Sequence, residues 1–248
     1  MMVNKQLIIS KFQKIKDLGY IKSNRPNNRD GGIGNTFEDY LGVQENNLRE
    51  ADFEGFEIKS KRQFNSSYLT LFSKSPSKPE GANGILKDKY GECRDPQFPQ
   101  LKKLYASIFG HRESLVYNKH LMKLDVCYPQ RIVNLKVKDE LHNSYDEVYW
   151  TFEELIIGSS KMKNLFVVFA DEKVIDGVRH YHYLNAEIYF DFNFENFLKS
   201  IENGVIMFDI RIGVHKTGNN YGKPHDHGSG FRIKKENISE LYNDYISI

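Results

Sequence analysis

From residue 205 to 212, Ile206, Phe208, Ile210 and Ile212 alternate with Met207, Asp209 and Arg211. A period of two fits a strand with one face turned to a core. The same period runs through residues 56–61, where Phe56 and Ile58 alternate with Glu57 and Lys59. Residues 68–72, the pair 121–126 and 132–137 across Tyr128-Pro129, the apolar run 165–170 and residues 231–233 also read as strands. Helical spacing lies between them. Leu7, Ile8, Phe12, Ile15 and Leu18 recur on one face before Gly19, and Phe194, Phe197, Leu198 and Ile201 do so before Asn203-Gly204. Thr36 with Asp39 and Thr151 with Glu154 resemble capping boxes, residues 82–90 predict a short helix, and the carboxy end a closing helix. Residues 23–34 read as a loop. Strands and helices interspersed in this way predict a mixed α/β fold.

Composition narrows the function classes. With 40% hydrophobic residues, 17 Phe and 15 Tyr in 248 residues there is ample material for a core, so disorder is excluded. A formal charge of +2 rules out a histone-like polycation but leaves room for a local basic groove. Cys93 and Cys127, the only cysteines, build neither a disulfide framework nor a CxxC zinc site. No apolar run approaches the roughly 20 residues of a membrane span, and the lysine-dotted amino end has no signal-peptide core. A soluble chain of a reducing compartment is expected.

The chemistry concentrates first at Asp52-Phe53-Glu54-Gly55-Phe56-Glu57-Ile58-Lys59. On a strand Glu57 and Lys59 share a face. Asp52 falls on the other face of a straight strand, but a bend at Gly55 brings it back beside Glu57. Two converging carboxylates next to an ammonium suit a hard divalent cation that also binds phosphate oxygens. The plainer reading is a solvated face or a cross-strand ion pair.

Gly34-Asn35-Thr36-Phe37-Glu38-Asp39, Gly42-Val43-Gln44-Glu45-Asn46-Asn47 and residues 52–59, in that order and spacing, resemble the MvaI/BcnI group of type II restriction endonucleases, related to MutH and built on the PD-(D/E)xK nuclease core. The resemblance continues through Leu69-Thr70-Leu71-Phe72-Ser73-Lys74-Ser75-Pro76, Val148-Tyr149-Trp150, Asp209-Ile210-Arg211-Ile212-Gly213, Pro224-His225-Asp226-His227-Gly228 and Phe231-Arg232-Ile233. It is weakest over 93–118 and 171–196. It implies a restriction-endonuclease-like mixed sheet flanked by helices, with two lobes around a DNA-binding cleft. Residues 1–110 would be mainly catalytic, their sheet completed by 148–170, and 111–248 mainly DNA-recognising. It implies that Asp52 and Glu57 bind metal, that Lys59 completes the catalytic set, and that Glu38 supplies a further acidic position. Ala51 stands where the motif has proline, a residue that carries no chemistry. The implied cofactor is Mg²⁺, two ions per cleavage, with Mn²⁺ able to substitute.

The implied activity is Mg²⁺-dependent cleavage of double-stranded DNA at a short CC-N-GG site by a monomer in a prokaryotic cytoplasm, with a cognate DNA methyltransferase in the host. Relatives that accept a central G·C pair carry extra histidines where this chain has Ser73 and Ser229-Gly230-Phe231, so CC(A/T)GG is favoured. The rival readings are a MutH-like nickase that needs an activator and a catalytically inactive DNA-binding module.

The last third supplies donors. Asp209 and Arg211 share a strand face, either as a weak ion pair or as an arginine aimed at guanine O6 and N7. His225, Asp226, His227 and Arg232 follow, with His215, Lys216 and Lys223 nearby. Histidine and arginine donate to guanine acceptors, and aspartate can accept from the cytosine amino group. His225-x-His227 with Asp226 also looks ligand-like, with His215 a candidate third ligand, which keeps a zinc hydrolase built on the His-Asp-His loop in view. Lys61 and Arg62 fit phosphate contacts, as do Lys234 and Lys235. The run Gly31-Gly32-Ile33-Gly34 lacks the Lys-Ser/Thr of a nucleotide-binding loop and reads as a turn.

Overall fold

The computed structural model describes residues 4–25, 31–43, 51–63, 67–139, 141 and 143–248. Residues 44–47 of the resembling stretch and Pro26 lie outside them. The chain forms two compact units. The first comprises Met1–Ser67, Ser160–Asn193 and Ser239–Ile248, and the second Tyr68–Ser159 and Phe194–Ile238.

The first unit is a mixed sheet with helices on it. Its strands run in the order Ile21–Lys22, Val178–Phe192, Asn164–Ile175 and Glu57–Arg62, and Tyr242–Ser247 pairs with Val178–Phe192. Asn164–Ile175 and Val178–Phe192 form a long antiparallel hairpin. Glu57–Arg62 lies parallel to Asn164–Ile175, with Glu57 opposite Leu165 and Lys59 opposite Val167. The expected recruitment of residues 165–170 is therefore what places the candidate catalytic strand. Helix Lys5–Asp17 begins where the Asn4 side chain accepts the Leu7 N–H at 3.1 Å. Its Ile8, Phe12 and Ile15 pack with Ile33, Phe37 and Leu41 of helix Gly32–Leu41 against Phe56, Ile58, Phe166 and Val168 of the sheet. Phe37 stacks on Phe166, their planes 9° apart.

The second unit holds two sheets. One has the order Pro224–Asp226, Ile206–Val214, Gly230–Ile233 and Leu69–Ser73, with Leu104–Phe109 also on Ile206–Val214. The other is an antiparallel meander of Ser114–Val116, His120–Cys127, Ile132–Lys138 and Ser144–Thr151. Aromatic rings join them. Trp150 lies edge-on to Phe208, with centroids 4.6 Å apart, and Phe231 packs on Phe72, Phe197 and Phe208. Trp150, large and fully buried, satisfies its indole N–H on the Lys74 carbonyl at 2.9 Å.

Several expectations change. The division does not follow a boundary near residue 110. Leu69–Ser73 pairs with Gly230–Ile233, and Leu104–Phe109 with Ile206–Val214, so both belong to the second unit. Residues 148–159 belong there too, whereas the whole 164–192 hairpin belongs to the first. Helix Gly32–Leu41 begins earlier than the Thr36–Asp39 pattern predicts. Thr36 is buried inside it, and its hydroxyl accepts the Asn24 N–H at 3.2 Å. The second capping box forms at Thr151 and Glu154. The carboxy end is the 3-10 turn Lys235–Leu241 followed by strand Tyr242–Ser247, not a closing helix. Among the described residues no helix is long and apolar enough to cross a membrane.

Candidate active site

In the first unit, Phe53 and Phe56 exchange backbone hydrogen bonds of 3.0 and 2.8 Å around Glu54 and Gly55. Both central residues have positive φ, 49° and 85°, as in a tight hairpin turn. This is the bend that Gly55 permits. It folds Asp52 back so that its Oδ2 accepts the Ile58 N–H at 2.9 Å, beside Glu57 and Lys59. Phe56 and Ile58 are buried in the apolar cluster, and the alternation turns Glu57 and Lys59 the other way.

Glu57 is buried, its Oε1 2.6 Å from the Lys59 ammonium, while its Oε2 has no hydrogen-bond partner among the described residues. Glu38 comes from helix Gly32–Leu41, one position past Phe37 and so at the rim of the packed face. Burial pushes the Glu38 carboxyl above its usual range, and repulsion from Asp52 and Glu57 adds to this, while Lys59 opposes it. Burial likewise raises Glu57, with Lys59 partly offsetting it and Asp52 adding repulsion. Glu38, Asp52, Glu57 and Lys59 thus feel one another's fields. Three carboxylates face the ammoniums of Lys59, 2.6 Å from Glu57, and Lys161, 4.0 Å from Asp52, so that negative charge is in excess at one place.

A magnesium ion is the group this chemistry implies. The fit rests on the hard oxygen donors and the orphaned, buried Glu57 Oε2. Among the described residues no three Asp, Glu, His or Cys side chains close around a point tightly enough to hold a metal by themselves. Mg²⁺ keeps several waters and takes substrate phosphate oxygens as ligands.

The raised carboxyls make a stability prediction. A carboxyl whose folded pKa lies above its unfolded value binds its proton more tightly in the native state. Its contribution to stability is therefore lost as pH rises from the ordinary carboxylate range through the raised value. Metal-free Glu57→Gln should melt above the wild-type protein at pH 8, and the gap should close below pH 4, where both carry a neutral side chain. A divalent cation should raise the wild-type melting temperature more than the variant's. Thermal scans across pH check this, and a variant that melts lower at pH 8 would contradict it.

Lys61 and Arg62, expected on phosphate, are engaged within the first unit. Lys61 is buried, and its ammonium donates to the Ser67 carbonyl. Arg62 pairs with Glu172 at 2.7 Å, and Arg179 takes the other Glu172 oxygen at 3.2 Å. The sequence reading missed Glu172, Arg179 and Lys161. Lys161 lies 4.0 Å from Asp52 and lowers the Glu57 carboxyl. Only proximity in the fold identifies it.

In the second unit, one face of the sheet around Ile206–Val214 gathers the candidate readers. Arg211 pairs across with Tyr105, Gly213 with His225 and Met207 with Arg232. Side chains directly opposite share a face, so Asp209, Arg211, His225, His227 and Arg232 line up together. The reverse face carries Phe208, Ile210 and Ile212 into the core. Asp209 is 9% exposed and holds both arginines on one oxygen. Its Oδ2 accepts from Arg211 Nε at 2.7 Å and lies 3.0 Å from Arg232 Nε. The second contact is close but poorly aimed, since Arg232 Nε makes no hydrogen bond among the described residues. Burial lowers the Arg232 pKa and Asp209 opposes this.

His215, His225 and His227 lie in a row, with successive centroids 4.6 Å apart, the first pair tilted and the second edge-on. They line a cavity of about 500 Å³ together with Asp95, Lys103, Tyr105 and Lys216. Tyr105, Asp209, Arg211 and His227 line a second cavity of about 300 Å³. Gly213 makes room for this arrangement, because a Cβ there would stand 2.5 Å from His227 Nε2. Burial, then repulsion from His225, lowers the His227 pKa, which favours the neutral ring that can donate from one nitrogen and accept on the other. Asp226, expected to accept from a cytosine, points away. The pleat turns it opposite to its histidine neighbours, and its oxygens accept from Gly228 N, Ser229 N, Asn83 Nδ2 and Ser75 Oγ. The His-Asp-His set therefore does not converge as zinc ligands.

A family model described as the MvaI/BcnI restriction endonuclease family matches residues 9–242. The solved complex of restriction endonuclease MvaI with its cognate DNA substrate is 33% identical and superposes with a TM-score of 0.85, covering 99% of each chain. Restriction endonuclease MvaI in the absence of DNA is 33% identical with a TM-score of 0.66, covering 100% of this chain and 99% of that one. No curated protein matches the sequence. With its mixed α/β fold, the chain belongs to the MvaI/BcnI restriction endonuclease family and is a type II site-specific deoxyribonuclease.

Proposed function

We propose that the enzyme hydrolyses both strands of duplex DNA at a CC-N-GG site, preferentially CC(A/T)GG, as a Mg²⁺-dependent monomer. The observation that carries the reading is the cluster of Glu38, Asp52, Glu57 and Lys59, mutually interacting charges around a buried Glu57 with an orphaned carboxylate oxygen. Glu38, Asp52 and Glu57 would hold the metal. When bound, Mg²⁺ acidifies a water and neutralises charge building on the phosphorus. Glu57 keeps Oε1 on the Lys59 ammonium, leaving Oε2 for the cation. Asp52 is oriented by the Ile58 N–H, which its Oδ2 accepts at 2.9 Å. Lys59 lies beside the carboxylates, where its ammonium orients the attacking water or donates to the developing phosphorane. In-line attack on phosphorus leaves 5′-phosphate and 3′-hydroxyl ends.

Recognition falls to the second unit, where Arg211, oriented by its hydrogen bond to Asp209, and the neighbouring Arg232 donate to guanine O6 and N7, and His225 and His227 donate to neighbouring acceptors. The relative whose structure contains its cognate DNA supports duplex DNA as the partner. A cognate methyltransferase in a prokaryotic cytoplasm would protect the host. Ser73 and the Ser229-Gly230-Phe231 run support the A·T centre.

The test is a plasmid digest. Purified protein alone in Mg²⁺ should nick and then linearise a plasmid carrying CC(A/T)GG, while eluting as a monomer. Mn²⁺ should replace Mg²⁺ and EDTA should stop the reaction. A plasmid carrying only CC(C/G)GG should resist. Cleavage there would overturn the central-pair reading, and activity only with an added protein would overturn autonomous cutting.

A further inference from the structure

Asp226 lies between two residues that line the cavity, yet it faces the other way. A carboxylate offers about four lone-pair positions, and at least four hydrogen bonds from protein groups reach them here. Oδ1 accepts from Gly228 N at 2.8 Å and Ser229 N at 2.6 Å, and Oδ2 accepts from Asn83 Nδ2 at 3.0 Å and from Ser75 Oγ. Asn83 Nδ2 also donates to Ser75 Oγ at 3.2 Å. These hydrogen bonds outweigh the upward push of burial and hold the carboxyl below its usual range, so it is ionised in the neutral range. The chain of bonds continues. Ser229, its N–H on Asp226, accepts the Arg211 N–H on its own hydroxyl at 2.8 Å. Ser75 follows strand Leu69–Ser73 and Asn83 sits on helix Ala82–Tyr90. One carboxylate therefore ties two separate segments, those of Ser75 and Asn83, to the backbone that carries His225, His227 and Arg211.

We propose that Ser75, Asn83 and Asp226 form a clamp that sets the positions of His225, His227 and Arg211, so that they determine sequence discrimination without touching a base. This rests on the reading of that face as the base-reading surface. The clamp is a positioning device: loosening it lets the readers drift and costs the aligned contacts of the cognate site, but not the electrostatic attraction shared by all duplexes.

The experiment uses the full chain with Ser75→Ala, Ser75→Thr, Asn83→Ala, Asp226→Asn and Arg211→Ala. Affinity is measured in Ca²⁺ for a duplex carrying the sequence that the wild-type protein cuts, and for a random duplex of equal length. Ser75→Ala, Asn83→Ala and Asp226→Asn should each lower the cognate-to-random ratio by roughly tenfold, the scale of one hydrogen bond to a charged group. Random affinity should stay within about twofold, because phosphate attraction is untouched. Ser75→Thr, which keeps the hydroxyl, should retain the wild-type ratio. Cleavage of one-base variants of the site should rise relative to the cognate. If Asp226→Asn shifts preference at a single base while Ser75→Ala and Asn83→Ala keep the full ratio, Asp226 reads a base directly and the clamp is wrong. Equal loss on both duplexes, or Ser75→Thr no better than Ser75→Ala, makes the cluster merely structural and also overturns it. Arg211→Ala separates the two levels: if it keeps the full ratio, the face is not the reading surface and the clamp falls with it.

Discussion

Glu57→Ala and Lys59→Ala should each leave a folded protein that binds its site in Ca²⁺ yet cuts it at least about 10³-fold more slowly in Mg²⁺. Several kcal/mol of charge stabilisation are at stake at a metal-assisted phosphoryl centre, and about 1.36 kcal/mol is a factor of ten in rate. Folding should survive because Phe56 and Ile58, on the opposite face, carry the packing. Removing Glu57 also relieves a buried carboxylate that burial already disfavours. Asp52 needs the milder change. Its Oδ2 accepts the Ile58 N–H, and Asp52→Asn keeps an acceptor while removing the charge, whereas Asp52→Ala would also loosen the turn. Single-turnover plasmid cleavage beside gel-shift binding separates chemistry from affinity. Wild-type cutting by either Glu57→Ala or Lys59→Ala would remove these residues from the mechanism.

Much of this centre was legible because it is local. The two-residue period of 56–61 assigned Glu57 and Lys59 to one face, and Gly55 marked the bend that returns Asp52. Glu38 depended on the family resemblance, since the helix that brings it over the sheet packs through Phe37 and Phe166, 129 positions apart. Lys161 left no sequence trace, because its place follows from the parallel pairing of Glu57–Arg62 with Asn164–Ile175. Lys61 shows the limit of reading charge as surface. It follows Lys59 by two, and the chain at Ser67 closes over it. The alternation of His225, Asp226 and His227 already put Asp226 on the face opposite its histidine neighbours, where its oxygens accept from protein groups. The carboxy end looked helical, but Tyr242–Ser247 is fixed by edge pairing from Glu187 to Phe192, a long-range bond pattern without local period. Unit boundaries failed for the same reason, since the partners of Leu69–Ser73 and Leu104–Phe109 lie more than 90 residues away.

Arg211→Ala and Arg232→Ala should each weaken cognate binding by roughly 10- to 100-fold, within the range of about 1–3 kcal/mol for a bidentate arginine–guanine contact, and leave random-duplex affinity nearly intact. The two should not behave alike. Arg211 is half-exposed and can leave without opening the fold, while Arg232 and Asp209 are largely enclosed, with side-chain exposures of 14% and 12%. Arg232→Ala therefore strips charge from around a nearly buried Asp209 and should also lower the melting temperature, which Arg211→Ala should not. Both guanidinium groups address the same Asp209 oxygen, so their substitutions should couple. Once one arginine is gone, the carboxylate binds the other more completely and holds it closer, and the double variant should lose measurably less or more than the product of the singles. Asp209→Asn supplies the complement: it keeps both arginines but removes the charge that aligns them, so specific affinity should fall while random affinity rises slightly with the lost negative charge. Affinities of the four arginine combinations on cognate and random duplexes, over a range of salt, test all of this. Equal losses on both duplexes, with a shallower salt dependence, would make Arg211 and Arg232 phosphate contacts and leave base reading to the histidines.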